Sequence, residues 1–172
     1  MSVQRYDAAA IPCVDGAYFT LFQREVLSHG GKIVDMLPQA GAAKTLRMSR
    51  MSAHELVQTL VGVSIAKHGI SHIIIGGHLC CGAYEHFRLS LPEEEALQRQ
   101  HMARARHFLQ EQVALAIKHY LAYEEGLADN HRANLQMVLD EGLNVAALII
   151  KPHNMVERIT DPPSQCFVEK VF

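Results

Sequence analysis

The sequence has little charge of one sign, no long apolar run and no cysteine framework. Sixteen Lys and Arg residues against eighteen Asp and Glu leave a formal net charge of -2 over 172 residues. The two signs are mixed along the chain, so no basic surface for nucleic acid is expected. The apolar runs fall well short of the roughly 20 residues that cross a bilayer, so no membrane segment is expected. The opening stretch, MSVQRYDAAAIP, lacks the basic-then-apolar layout of a secretory signal. Four cysteines, two of them adjacent at Cys80 and Cys81, do not form a disulfide framework in a chain this long. There is no Cys-x-x-Cys, which argues against a dithiol redox protein. A reducing, cytoplasmic setting is expected. Repeats, low-complexity stretches and linkers are also lacking, and a chain that is 49% hydrophobic and 20% charged reads as one globular domain over 1–172.

The pattern that is present alternates. Ala9 to Val14 is apolar and reads as a short strand, and Asp15-Gly16 as a turn. Tyr18, Leu21, Phe22 and Val26 recur at helical spacing over 18–29, and Gly30-Gly31 stops that helix. Lys32 to Leu37 reads as a second strand and 38–42 as a loop. Ser52-x-x-Glu55 has the form of a capping box, with Leu56, Leu60 and Val63 following at helical spacing and Gly69 as the terminator. Ile73-Ile74-Ile75 is a strand buried on both faces, ended by Gly76-Gly77. A helix opens at Leu91-Pro92-Glu93 and carries an interrupted apolar face to about Tyr123. Asn134 to Glu141 is a further helix, Leu143 to Ile150 a fourth strand and Cys166 to Val168 an edge strand. His101, His107 and His119 lie in polar helical stretches and are expected in solvent.

Strands alternating with helices predict an α/β fold with a mostly parallel sheet. Crossovers are right-handed, and with strand two on one side of strand one and strand three on the other the strand order is 2-1-3-4. A crevice then opens between the carboxyl ends of strands one and three, where ligands of open α/β sheets bind. Cys13 lies at the end of strand one. His78 and Cys81 follow strand three, with glycines that permit a tight turn between them. The topology brings Cys13 beside the His78-x-x-Cys81 pair, and zinc takes both kinds of ligand. Alone, Cys13 is a small core residue and Asp15 a turn residue; beside a metal, Asp15 becomes its ligand or orienter. Cys80 reads as a core or spare thiol, and Cys166 has no assigned role.

These motifs resemble the β-class carbonic anhydrases, which carry C-x-D-x-R after a first strand and H-x-x-C-G after a third. Here they stand as Cys13-x-Asp15 and His78-x-x-Cys81-Gly82, with Gly69 to His78 similar to the run into the second motif. Pro38-Gln39-Ala40-Gly41 sits where that family has an R-N-A-G loop. The likeness covers Ala9 to Tyr84 well. It implies an α/β sheet, a zinc ion held by Cys13, His78 and Cys81, Asp15 as the carboxylate beside it, and a homodimer or higher oligomer. It further implies reversible hydration of carbon dioxide to bicarbonate. Gln39 reads as a plain loop residue or a hydrogen-bonding contact to a small substrate, and Gly82 is a candidate contact beside it.

The departures point elsewhere. The family arginine that pairs with the aspartate falls on Ala17, and the loop arginine on Pro38. Without that partner nothing holds Asp15 off the ion, so a closed site of Cys13, Asp15, His78 and Cys81 is the expectation. Lys44, Arg47 and Arg50, in the loop after strand two, are the candidate replacement cations. Tyr84 and His86 line the crevice or, for Tyr84, the core. The alternative function is a zinc protein of the same fold that is non-catalytic or acts on another substrate.

Overall fold

A computed structural model describes residues 8–14, 16–28, 32–48, 50–152 and 166–170. Five strands form one sheet in the order β2-β1-β3-β4-β5. Strand β1 is Ala8–Pro12, β2 is Ile33–Met36, β3 is His72–His78, β4 is Asn144–Pro152 and β5 is Cys166–Lys170. Strands β1 to β4 are parallel, and β5 adds an antiparallel edge. The expected order 2-1-3-4 is therefore present, with Cys166 to Val168 inside the edge strand. Helix α1 is Gly16–Ser28, α2 is Ala43–Met48, α3 is Arg50–Thr59, α4 is Leu91–Tyr123 and α5 is Asp129–Glu141. No helix among the described residues is long and apolar enough to cross a membrane.

Period-two alternation assigns each strand residue to a face. Ile73 and Ile75 of β3, with Val145, Ala147 and Ile149 of β4, belong to the larger core beneath α3, α4 and α5. Ala10, Leu148 and Ile150 face the other way, with Ile74 beside them, and pack against Leu21 and Phe22 of α1. The continuous apolar run of β3 thus has a physical cause, because both of its faces are covered. Strands β3 and β4 pair over seven residues, from His72 with Asn144 to His78 with Ile150.

Local readings differ from the structure at four places. Helix α3 spans Arg50–Thr59, so Ser52 lies within it rather than just before its first turn. A capping arrangement stands instead at Ser90, whose N–H and hydroxyl both donate to Glu93 Oε2, at 2.8 and 2.6 Å. After Thr59 the helix widens into a π-helical stretch, Leu60–Ile65, with Ala66 N–H reaching back to the Val61 carbonyl at 3.0 Å. The widened turn rotates the sequence, so Val61 is buried and Val63 faces solvent. Gly69 terminates it at φ +67°, as expected. Lys44 and Arg47 lie on α2, and Arg50 opens α3, rather than in a loop.

The fourth difference concerns Gly76 and Gly77, which are paired strand residues and not a turn. Neither has a positive φ. Their lack of a side chain serves close packing instead. An ideal Cβ on Gly76 would lie 2.4 Å from Phe22 Cε2, and one on Gly77 2.6 Å from Met102 Cε. Phe22 is 2% exposed and has no room to retreat. Gly76→Ala is therefore expected to lose about 1–3 kcal/mol of stability through overpacking. The midpoint of urea unfolding reads this, and an unchanged midpoint would show that the ring yields freely.

Candidate metal centre

Three chain segments meet at the carboxyl end of the sheet. The end of β1 is continued by Cys13, whose N–H donates to the Gly76 carbonyl at 2.9 Å. Gln39 forms a parallel bridge with Cys13, and its N–H donates to the Pro12 carbonyl at 2.9 Å. Gly41, at φ +67°, then points its N–H at Cys13 Sγ, 3.4 Å away. A Cβ on Gly41 would sit 2.7 Å from the Ala83 Cβ, so this loop abuts the turn that follows β3.

His78 is the last residue of β3 and is 1% exposed. Its ring stacks on Tyr18 of α1, with centroids 4.2 Å apart and an 18° interplanar angle. Nδ1 lies 3.0 Å from the Leu79 carbonyl oxygen. As a proton donor to that oxygen, Nδ1 leaves Nε2 with the ring's lone pair, the form that binds metals. Cys80 then takes φ +59° in the left-handed region. That single residue reverses the chain and returns Cys81 toward His78. The tight turn foreseen for the glycines is made by Cys80.

The result is a cluster of Cys13, His78 and Cys81 whose ligand atoms all lie within 4.8 Å of one another. The two Sγ atoms are 3.6 Å apart, too far for a disulfide. Thiolates at about 2.3 Å from a tetrahedral zinc are separated by about 3.8 Å, so the donor set and its spacing fit that ion. The Cys81 thiol is pushed up above its ordinary range because it shares a hydrogen bond with Cys13 and is buried. Two buried thiols resist ionising together, and a divalent cation between them reverses that preference. A small cavity of about 10 Å³ adjoins Cys13 and His78, walled by Pro12, Phe22, Gly76 and Ile150. It is close to the ~10–15 Å³ that one water needs.

Asp15 lies outside the described residues. Gly82 fronts open space, since a Cβ there would meet no atom within 4 Å. Tyr84 is buried against Cys13 and Cys81, and burial, with charge at Cys81 next, pushes its phenol up. Its hydroxyl meets His101 Nδ1 at 3.0 Å. His101 is thus 7% exposed, not solvated, because α4 turns it onto Tyr84; His107 and His119 are exposed as expected. Exposed His86 lies with Lys44 Nζ 3.5 Å from its ring nitrogens, and Lys44 also donates to the Ala83 carbonyl. Arg47 is exposed. Three neighbours of the cluster were not legible beforehand: Tyr18, Glu94 and Gln98. Glu94 stands in an acidic run that reads as a solvated helix start, and nothing local marks it as 3% exposed.

Acid stability follows from two groups on α4. His101 is held below its ordinary 6.5 by burial and then by Arg104, Arg47 and Lys44. Burial alone would raise Glu95, but Lys151 and Arg99 outweigh it and hold the carboxyl below its ordinary 4.5. In both cases the unfolded chain binds the proton first, so stability is lost as pH falls. Melting temperatures of the metal-free protein are expected to be level between about pH 7 and 8. They should fall from about pH 6.5 downward as His101 takes its proton, then further below about 4.5. A His101→Gln variant should flatten the upper part of that decline, and an unaltered profile would remove His101 as its cause.

Among solved structures, a β-carbonic anhydrase of the fungal pathogen Aspergillus fumigatus aligns at 16% identity, covering 97% of this chain and 76% of that one, with a TM-score of 0.43. Isoform I of the β-carbonic anhydrase of Trichomonas vaginalis aligns at 18% identity over 99% and 86% of the two chains, with a TM-score of 0.43. Tetrameric β-carbonic anhydrases of Sordaria macrospora align at 15% identity over 86% and 77%, with a TM-score of 0.41. No curated protein matches the sequence significantly. The model of the family described as "Putative carbonic anhydrase" matches residues 3–121. That match spans more than half of the sequence and includes all three residues of the Cys-His-Cys cluster, and the chain belongs to this carbonic anhydrase family.

Proposed function

We propose that the protein holds one zinc ion at Cys13, His78 and Cys81 and acts on carbon dioxide and bicarbonate or a closely related small electrophile. The observation that supports this most directly is the convergence of three ligand atoms within 4.8 Å from strand ends 65 and more residues apart in sequence. Zinc in such a site supplies Lewis acidity toward water and a small carbonyl compound. The chain's own residues supply the rest. The Leu79 carbonyl orients the His78 ring, and the Tyr18 ring holds it from the side. The Gly41 N–H donates to Cys13 Sγ and tempers its charge. Pro12, Phe22 and Ile150 wall the adjoining cavity with apolar surface, so that only a very small molecule fits. Gln39 and Gly82 border the same end of the sheet as substrate contacts.

A second reading has its own support. Ala17 stands where an arginine would pair with Asp15, so Asp15 serves as the fourth ligand and closes the site. Zinc content and rapid-mixing carbon dioxide hydration separate the readings. About one zinc per chain with measurable hydration supports the enzyme; the same zinc with no hydration supports the closed site. Absence of bound zinc would overturn both.

Self-association belongs to the same proposal. A groove of about 800 Å³ between α3 and α4 is floored by Leu46, Val57, Phe108 and Leu115, and Leu115 is 58% exposed. Light scattering at micromolar concentration is expected to give at least a dimer mass, and a monomer mass would refute it.

A further inference from the structure

We propose that Glu94 and Gln98 are positioning residues for the metal centre, holding the backbone of the His78–Cys81 turn so that both ligand side chains converge. The proposal rests on the zinc reading above and adds residues that neither motif contains.

The turn is unfavourable on its own terms. Cys80 has a Cβ, yet it occupies the left-handed region at φ +59°, where such residues are uncommon. Something must hold it there. Within the turn, Tyr84 N–H bonds the Cys81 carbonyl only beyond the reversal. The grip comes from one face of α4. Gln98 Nε2 donates one hydrogen to the His78 carbonyl at 2.7 Å and the other to Glu94 Oε1 at 3.0 Å. Glu94 Oε1 also accepts the Cys81 N–H at 3.0 Å. The main chain of both His-x-x-Cys ligands is thereby tied to two side chains one helical turn apart. Glu94 is 3% and Gln98 1% exposed, so water does not compete for these bonds.

The surroundings are built for this grip. Gly77 precedes His78, and a Cβ there would lie 2.7 Å from Gln98 Oε1. Glycine at 77 is what lets the amide reach the strand. The helix is fixed in register by the Ser90–Glu93 cap and by Glu95, which meets Lys151 Nζ at 2.9 Å and Arg99 Nη2 at 2.7 Å. Lys151 lies on β4, beside β3 in the sheet, so α4 and the ligand strand are held to one frame. A carboxylate and an amide buried this deeply are costly to keep without a task.

Zinc affinity by chelator competition tests it, with folding checked by circular dichroism. Gln98→Met keeps the volume and removes the donor, and Glu94→Ala removes the acceptor. Each is expected to bind zinc about 10–100-fold more weakly than the unaltered chain. Glu94→Gln keeps an acceptor oxygen and should bind within about threefold, a rescue that a loss of charge alone would not give. Cys80→Gly, placed in the Gln98→Met background, should recover part of the affinity because glycine takes the left-handed turn freely. Should Gln98→Met or Glu94→Ala fail to fold, Gln98→Asn, which withdraws the amide by one methylene, carries the test. Cobalt substitution adds a second readout, because displaced thiolates shift the ligand-field bands. Unaltered zinc affinity and an unshifted cobalt spectrum in a folded Gln98 variant would overturn the positioning role. A parent protein that binds no zinc would instead overturn the zinc reading itself.

Discussion

Cys13→Ser is expected to strip the protein of zinc, from about one ion per chain to less than about a tenth of that. A serine hydroxyl stays protonated at neutral pH and cannot replace a thiolate. The position is also the one long-range element of the set: Cys13 reaches the cluster only because β1 lies beside β3, with Pro12 opposite Gly76. His78→Ala and Cys81→Ser should lose zinc as well. Cys80→Ser should keep it, since Cys80 packs against the main core and lies outside the cluster. Thermal melts give the energetic counterpart. A thousandfold excess of zinc over its dissociation constant stabilises the folded chain by about 4 kcal/mol, and the Cys13 variant should show no such gain. Metal analysis that finds normal zinc in Cys13→Ser would remove Cys13 from the site and with it the zinc assignment.

Asp15→Ala carries the next largest effect, and its expected sign is a gain. A carboxylate two residues after a ligand lies within reach of the same ion, and a divalent cation draws it strongly in a partly buried crevice. Its usual competitor is an arginine that grips the carboxylate through two parallel bonds. Ala17 cannot do this. The closed site is therefore expected to hydrate carbon dioxide weakly near pH 7. Removing the carboxylate should raise the rate at least about tenfold by opening the fourth coordination position. Ala17→Arg should move activity in the same direction by drawing Asp15 away. Rapid-mixing assays on the zinc-loaded proteins decide it. An active parent that slows on Asp15→Ala would mean an open site in which Asp15 assists the reaction, and the ordinary hydratase reading would stand.

The sequence by itself determined the alternation of strands and helices, and it led to the order β2-β1-β3-β4 once strands two and three were placed on opposite sides of strand one. It also marked Cys13, His78 and Cys81, because strand-end residues on either side of a switch point meet whatever the side-chain packing. These features depend on periodicity and topology, which short stretches of chain carry. Long-range packing decided the rest. Gly76 and Gly77 look like a turn until Phe22, Met102 and Gln98 are seen against them. Cys80 carries no local sign of its left-handed backbone; the bonds from Glu94 and Gln98 to its flanking residues hold it there. His101 and Glu94 sit among polar neighbours in sequence, and only the placement of α4 over the site turns them inward. A residue's burial depends on which distant surface its face meets, and that information belongs to the packed structure rather than to any window of the chain.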